Sequence, residues 1–381
     1  MSHSPSGDRR GEKGAGRPQV SPIEGDGPEK PQPAPPRRGL RSRGVQVFFS
    51  LVLAAGLLYL FLRRVEIGPL REAIASASTG WLAVSLGISL LTFVLRAIRW
   101  VWLLRPVGQV PLLPSFLATA VGFAANNLPA RVGEVIRPAL LARMRRLPFS
   151  ALLASILFER ALDGGSVVFF FLLALVLGFP GSTAGGGAFA HLRTGALLGA
   201  GLFVALVAAA AFLLRRREAS ERAFERLTRR LPAAWREKTR GAASAFPRGF
   251  ASLADRRLAA LAALSSIAMW FAVNLQIYSV MRAFHIALPF SSSFVVTAAA
   301  VLGLAVPTPG GIGSYQAAVQ YALTRFYGVP LAPASGVAVL AWAVSFVPIT
   351  AIGLAALGTR SVRRSFSEPQ DGGRNAGNLG R

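Results

Sequence analysis

The chain has no cysteine. Disulfides, thiolate zinc or iron–sulfur sites and cysteine nucleophiles are therefore excluded. Histidine is nearly as scarce. His3, His191 and His285 lie far apart, so no metal site built on several histidines is expected. Charge is thin, at 15% of residues against about 25% in soluble proteins. Acids are the rarer sign, 17 against 42 Lys and Arg, which leaves a formal net charge of +25. So basic a chain invites a nucleic-acid reading. The distribution of the charge argues against a nucleic-acid partner. Most of it lies before residue 44, between 215 and 257, and after 358, separated by long runs of Leu, Ala, Val, Phe and Gly. Bilayer spans with basic cytoplasmic flanks give that pattern unaided.

Residues 1–44 are rich in Pro, Gly, Ser and Arg and hold no apolar periodicity, which predicts a disordered basic tail without a cleaved signal. Full spans are predicted at 45–62, 81–104, 151–179, 192–214, 258–283 and 331–357, with a short amphipathic connector at 65–78. Two apolar runs, 112–129 and 291–306, break at polar or Gly/Pro-rich turns and lead into second helices at 131–146 and 314–327. The segment 215–257 carries thirteen basic residues and five acids. Its Phe224, Leu227, Leu231 and Trp235 fall near one helical face, which predicts a basic cytoplasmic loop lying on the membrane surface. Residues 358–381 read as a second disordered cytoplasmic tail.

If every apolar run crossed, the five arginines of 131–146 would face the side opposite Arg105. Treating 112–147 and 291–327 as re-entrant hairpins places every basic block and both termini in the cytoplasm. Arg63, Arg64 and Arg71 then lie outside, beside Glu66 and Glu72. The expected fold is an all-α polytopic membrane domain over 45–357, with about six full transmembrane helices and two re-entrant helical hairpins. Span–hairpin–span at 81–179 recurs at 258–357 with opposite orientation, which suggests an inverted repeat of the transporter kind.

The chemistry-bearing residues cluster at the breaks. Asn126, Asn127, Pro129, Arg131, Gly133, Glu134 and Arg137 form a polar knot between apolar runs. Charge at membrane depth is costly and tends to be functional, and arginine binds phosphate bidentately. The knot reads as a lipid-headgroup site in which Arg131 or Arg137 grips phosphate. The alternative is an Arg–Glu pair that only stabilises a turn. Glu159, Arg160 and Asp163 lie well inside a predicted span, with the two acids on one helix face. They read as a polar cavity wall, or as an ion-pair network locking helices, with Arg160, Arg99 or Arg131 as counter-charge to the two acids. Arg96 and Arg99 share a face, and either join that cavity or snorkel to the interface. Pro309, Gly310, Gly311 and Gly313 suit a re-entrant turn at the start of a helix. No Gly-Lys-Ser/Thr follows them, so they are not a nucleotide loop. Asn274 and Gln276 read as interhelical glue. No Ser/His/Asp set is present, so neither an enzyme nor a cofactor is expected.

At four motifs the chain resembles the lysylphosphatidylglycerol synthase transmembrane region, also called the flippase-like domain family. They are Arg96-Ala-Ile-Arg99-Trp100, Asn127-Leu-Pro-Ala-Arg131-Val-Gly133-Glu134-Val-Ile-Arg137, Glu159-Arg160-Ala-Leu-Asp163 and Pro307-Thr-Pro-Gly310-Gly311-Ile-Gly313. The resemblance spans about residues 45–360. It implies a multi-pass inner-membrane protein that moves or binds lipids. In bifunctional members this domain flips an aminoacylated phospholipid made by an attached synthase domain. Only residues 358–381 come after the last run here, so the chain is not expected to make the lipid itself. The family often has Glu soon after the Gly-rich turn, where this chain has Gln316. The expected function is binding and translocation of an anionic phospholipid or polyprenyl-linked lipid, with Arg99, Arg131 and Arg137 on the phosphate. The alternative is a non-transporting scaffold for an envelope lipid or glycan enzyme. A lipid-carrier transferase using Glu159 and Asp163 has no visible donor site.

Overall fold

Apolar runs free of Pro and Gly clusters wind into helices, because lipid offers the backbone no other hydrogen-bond partner. In the computed structural model, residues 38–63, 65–127, 132–177, 255–360 and 362–363 are described, with isolated positions between 194 and 205. The chain divides into two units, Met1–Ser42 and Arg43–Arg381. Of the first unit only the opening of a helix is described, and all other described elements belong to the second.

Every regular element among the described residues is helical. In chain order they are α1 (Arg38–Leu62), α2 (Ile67–Ala75), α3 (Thr79–Leu104), α4 (Leu112–Asn126), α5 (Gly133–Arg145) and α6 (Phe149–Val176). Then come α7 (Arg256–Ala283), α8 (Ser292–Ala305), a 3-10 turn (Pro309–Gly311), α9 (Ser314–Tyr327) and α10 (Leu331–Leu357). Proline punctuates several starts: Pro111, Pro148 and Pro330 immediately precede α4, α6 and α10. Asp255 caps α7, accepting from the N–H groups of Arg257 and Leu258 at 2.8 and 3.2 Å. Gly328, at φ +63°, ends α9 in the left-handed region.

Three helices, α3, α7 and α10, are long and apolar enough to cross a membrane. Phe48–Leu62 and α2 make a fourth candidate only as a pair, bent by 85°. α6 has 28 residues but carries Glu159, Arg160 and Asp163 near its middle. α4, α5, α8 and α9 have 15, 13, 14 and 14 residues. At 1.5 Å per residue each reaches roughly 20 Å, short of a hydrocarbon core of about 30 Å. Arg64, the predicted span 192–214, the loop 215–257 with its apolar face, and both tails beyond 38 and 363 lie outside the described residues.

Two apolar clusters mark the two ends of the helix set. One joins Trp100, Leu103 and Leu104 at the end of α3 to Leu140 and Leu141 of α5, Leu152 and Ile156 of α6, Ala262 of α7 and Ala356 of α10. The other joins the end of α6, the second half of α7, most of α8 and α9, and the first half of α10. The packing is reciprocal. α3 lies against α7, α4 against α10 and α6 against α8, while α4 pairs with α5 and α8 with α9. Small residues permit both close pairings. A Cβ at Gly122 would stand 2.7 Å from Cβ of Arg137, and one at Gly133 only 1.9 Å from the carbonyl of Gly122. In the second pair, a Cβ at Gly303 would meet the Ser314 carbonyl at 2.6 Å and the Ala318 methyl at 2.9 Å.

Candidate functional site

The end of α4, at Asn127, meets the Gly-rich turn between α8 and α9. Gly310, at φ +58°, packs on the carboxamide of Asn127. Asn127 donates to the Thr350 hydroxyl of α10, and Trp342 of the same helix donates to the Gly310 carbonyl at 2.8 Å. Positive φ at Gly310, Gly311 and Gly313 lets the second turn fold this tightly. Gln316 caps α9, its Oε1 accepting from Gly313 N–H at 2.8 Å. Gln and Glu both serve at that capping position, so the chain's departure from the family pattern is compatible with this geometry.

Behind the first turn lies a network of ions. Helix periodicity puts Arg96 and Arg99 on one face of α3, and Glu159 and Asp163 on one face of α6. Glu134 stands in the first turn of α5, with Arg137 one turn later. Arg99 Nη2 reaches Glu159 Oε1 at 3.1 Å, and its Nη1 reaches Asp163 Oδ1 at 2.8 Å. Arg137 Nη1 meets the same Glu159 oxygen at 2.9 Å. Arg96 Nη1 pairs with Asp163 Oδ2 at 3.3 Å. Arg160 touches all three acids: Asp163 at 3.4 Å, Glu159 at 3.5 Å and Glu134 at 3.6 Å.

Burial divides this network into an inner and an outer part. Arg99 and Glu159 are fully buried, and Arg137 nearly so. Arg160 and Glu134 keep 39% and 40% of their side chains exposed. The inner ions are braced by groups that carry no charge. The Arg137 guanidinium lies over the Trp100 ring, 4.1 Å from its centroid. Trp100 donates to Ser155 at 3.0 Å. From α7, Trp270 donates to Asp163 at 3.1 Å, and Ser266 accepts from Arg99 at 2.8 Å. Four guanidiniums thus face three carboxylates among the described residues. Nε and Nη2 of Arg137 and Oε2 of Glu159 make no hydrogen bond there.

The structure therefore brings Arg99, Glu134, Arg137, Glu159, Arg160 and Asp163 together, with Asn126 Nδ2 3.5 Å from Glu134. Asn127 stands apart, at the junction of the two turns. Pro309, Gly310, Gly311 and Gly313 form the second turn and not the ion network. Arg131 lies outside the described residues. Gln276 links helices as expected, bonding Ser85 of α3 and Ser345 of α10, whereas Asn274 bonds back to its own helix at Trp270. Sequence reasoning quoted Trp100 in a motif without giving it a role, and missed Ser266, Trp270, Trp342 and Thr350. The four-residue spacing of Ser266 and Trp270 was the available signal for one polar stripe on α7.

Residues 47–353 match the family described as the lysylphosphatidylglycerol synthase TM region. No curated protein matches the chain.

Proposed function

The chain belongs to the lysylphosphatidylglycerol synthase TM region family, and we propose that it binds an anionic phospholipid or polyprenyl-linked lipid and carries it across the cytoplasmic membrane. The observation that carries this reading is the excess of one positive charge, among the described residues, in a largely buried network whose outer guanidinium, Arg160, is open. A lipid phosphate arriving at Arg160 would exchange with Glu134 and Asp163, and would free Asp163 to neutralise Arg96 and Arg99 more fully. In this reading Arg99 and Arg137 are the fixed floor held by Glu159, Arg160 meets the headgroup, and Arg131 and Asn127 act at the turn above.

The membrane arrangement we propose has six spans, two re-entrant hairpins (α4–α5 and α8–α9) and both termini in the cytoplasm. The short hairpin helices, the meeting of their turns and the reciprocal packing of α3–α6 with α7–α10 support an inverted repeat. The end of the helix set that gathers Arg105, Arg143, Arg145, Arg146, Arg256, Arg257, Arg360 and Arg363 would face the cytoplasm.

A scaffold role for an envelope biosynthesis enzyme is favoured by one observation: each described arginine of the network already has an acid partner, as a helix lock would require. Translocation of fluorescent phospholipid and polyprenyl-phosphate analogues in proteoliposomes separates the readings. Exchange that is faster with protein and falls at least ten-fold in Arg160→Gln supports transport, since one lost charge-assisted contact is worth about 1.5–3 kcal/mol. Folded protein that accelerates no headgroup sinks it.

A further inference from the structure

At the end opposite the arginine-rich one, α1 leans on α9 and leaves a crevice of about 630 Å³. Its apolar wall is Leu57, Leu60 and Phe61 of α1 with Leu331 of α10, and its polar wall includes Tyr321 of α9. Arg63 and Arg325 stand at its edge. Neither pairs with an acid among the described residues, although both line the same recess. Every described arginine of the ion network, by contrast, has such a partner. Two guanidiniums in one recess, neither paired with an acid among the described residues, repel each other, and the repulsion is relieved by an anion that bridges them.

α1 itself adds a second requirement, an apolar one. Phe48, Phe49, Leu51, Val52, Tyr59 and Leu60 are exposed, while Phe61 is buried and Leu58 packs on the core. The helix therefore touches the bundle chiefly near its C-terminal end, and the gap beneath it is walled by leucine. A free phosphate would satisfy the arginines and leave that wall wet. An acyl chain beneath a phosphate would satisfy both.

We infer that the α1–α9 crevice is a second lipid site, which holds an acidic phospholipid with its phosphate between Arg63 and Arg325 and an acyl chain along Leu57, Leu60 and Leu331. By the topology proposed above it faces the outer leaflet. It stands whether or not the ion network moves lipid.

The absence of cysteine makes the test local. Tyr321→Cys is the sole thiol of the chain, and a small bimane fluorophore on it reports from the crevice wall. The labelled protein is placed in phosphatidylcholine vesicles, and either brominated phosphatidylglycerol or brominated phosphatidylcholine of the same chains is added as quencher. The phosphatidylglycerol should reach half-maximal quenching at a mole fraction roughly ten-fold lower, as two interfacial arginines imply. Arg63→Gln with Arg325→Gln should erase the preference, the two Lys replacements should keep part of it, and Arg160→Gln should leave it intact. Equal quenching by the two lipids overturns the site. So does a preference that survives loss of both arginines, or that soluble glycerophosphate abolishes. A preference lost in Arg160→Gln alone would assign the lipid to the ion network instead.

Discussion

Gly310 and Asn127 lie in different turns, and each limits what the other can be. A Cβ on residue 310 would stand 2.9 Å from Oδ1 of Asn127, on a backbone already at φ +58°. Gly310→Ala therefore meets two separate penalties. The left-handed backbone alone costs about 1–2 kcal/mol for an L-residue, and the contact with Asn127 adds to it. The expected result is a lower thermal midpoint in detergent and slower lipid exchange. Adding Asn127→Ala should recover the steric part and leave the backbone part, so the double variant should be more stable than the sum of the singles implies. Wild-type melting of Gly310→Ala would show that the turns do not meet as described.

The two glutamates of the network should differ sharply in what they hold. Glu159 is fully buried and receives Arg99, Arg137 and Arg160. Glu159→Gln leaves buried guanidiniums without neutralisation, a change that costs about 3–5 kcal/mol. Glu134 is 40% exposed, and Arg160, at 3.6 Å, is its one ionic partner among the described residues. Glu134→Gln should cost about 1 kcal/mol or less, as an exposed pair does, and should show its effect in lipid exchange. Equal losses of stability on chemical unfolding would contradict the division into inner and outer ions.

Glycine tolerance tests the closeness of α4 and α5. Any side chain at Gly133 runs into the Gly122 carbonyl, at 1.9 Å for the first carbon. Nothing lies within 4 Å of a Cβ at Gly87 in α3. Gly133→Ala should spread the helix pair, displace Glu134 and Arg137 from Arg160 and Glu159, and reduce folded yield. Gly87→Ala should be neutral or stabilising by up to about 1 kcal/mol, since alanine is the better helix former. A Gly133→Ala protein as stable as Gly87→Ala would mean that α4 and α5 pack more loosely.

Much of this fold was legible because punctuation and periodicity agree. Gly313, Gly328 and Pro330 delimit α9 and α10, whose observed bounds are those the residues predict. α1 was less legible. It begins at Arg38 and not at 45, because arginine is a good helix former and a change of polarity does not end a helix. Within the site, the i, i+3 and i, i+4 spacings correctly place Arg96 with Arg99 and Glu159 with Asp163 on single faces. Which acid each arginine meets depends on how α3, α5 and α6 cross, and no local pattern encodes that. The Trp100 ring beneath Arg137 escaped notice for the same reason: a tryptophan in an apolar run reads as lipid-facing until the neighbouring helix is known. The contact between the turns at Asn127 and Gly310 is long-range, and spacing within either turn carries no trace of it.

The proposed orientation has a direct test, again made simple by the absence of cysteine. Ser76 ends α2 near the Ala283 end of α7, while Arg145 ends α5 at the arginine-rich end, and both are exposed. If basic flanks stay in the cytoplasm, a membrane-impermeant maleimide should label Ser76→Cys in intact cells. It should label Arg145→Cys only after permeabilisation. The α4–α5 pair is decisive here, because a crossing by α4 alone would export Arg143, Arg145 and Arg146 together. Labelling of Arg145→Cys from outside would replace the re-entrant hairpin with a single crossing by α4. Protection of Arg145→Cys with labelling of Ser76→Cys leaves the hairpin as the arrangement that reconciles helices of about 20 Å with a hydrocarbon core of about 30 Å.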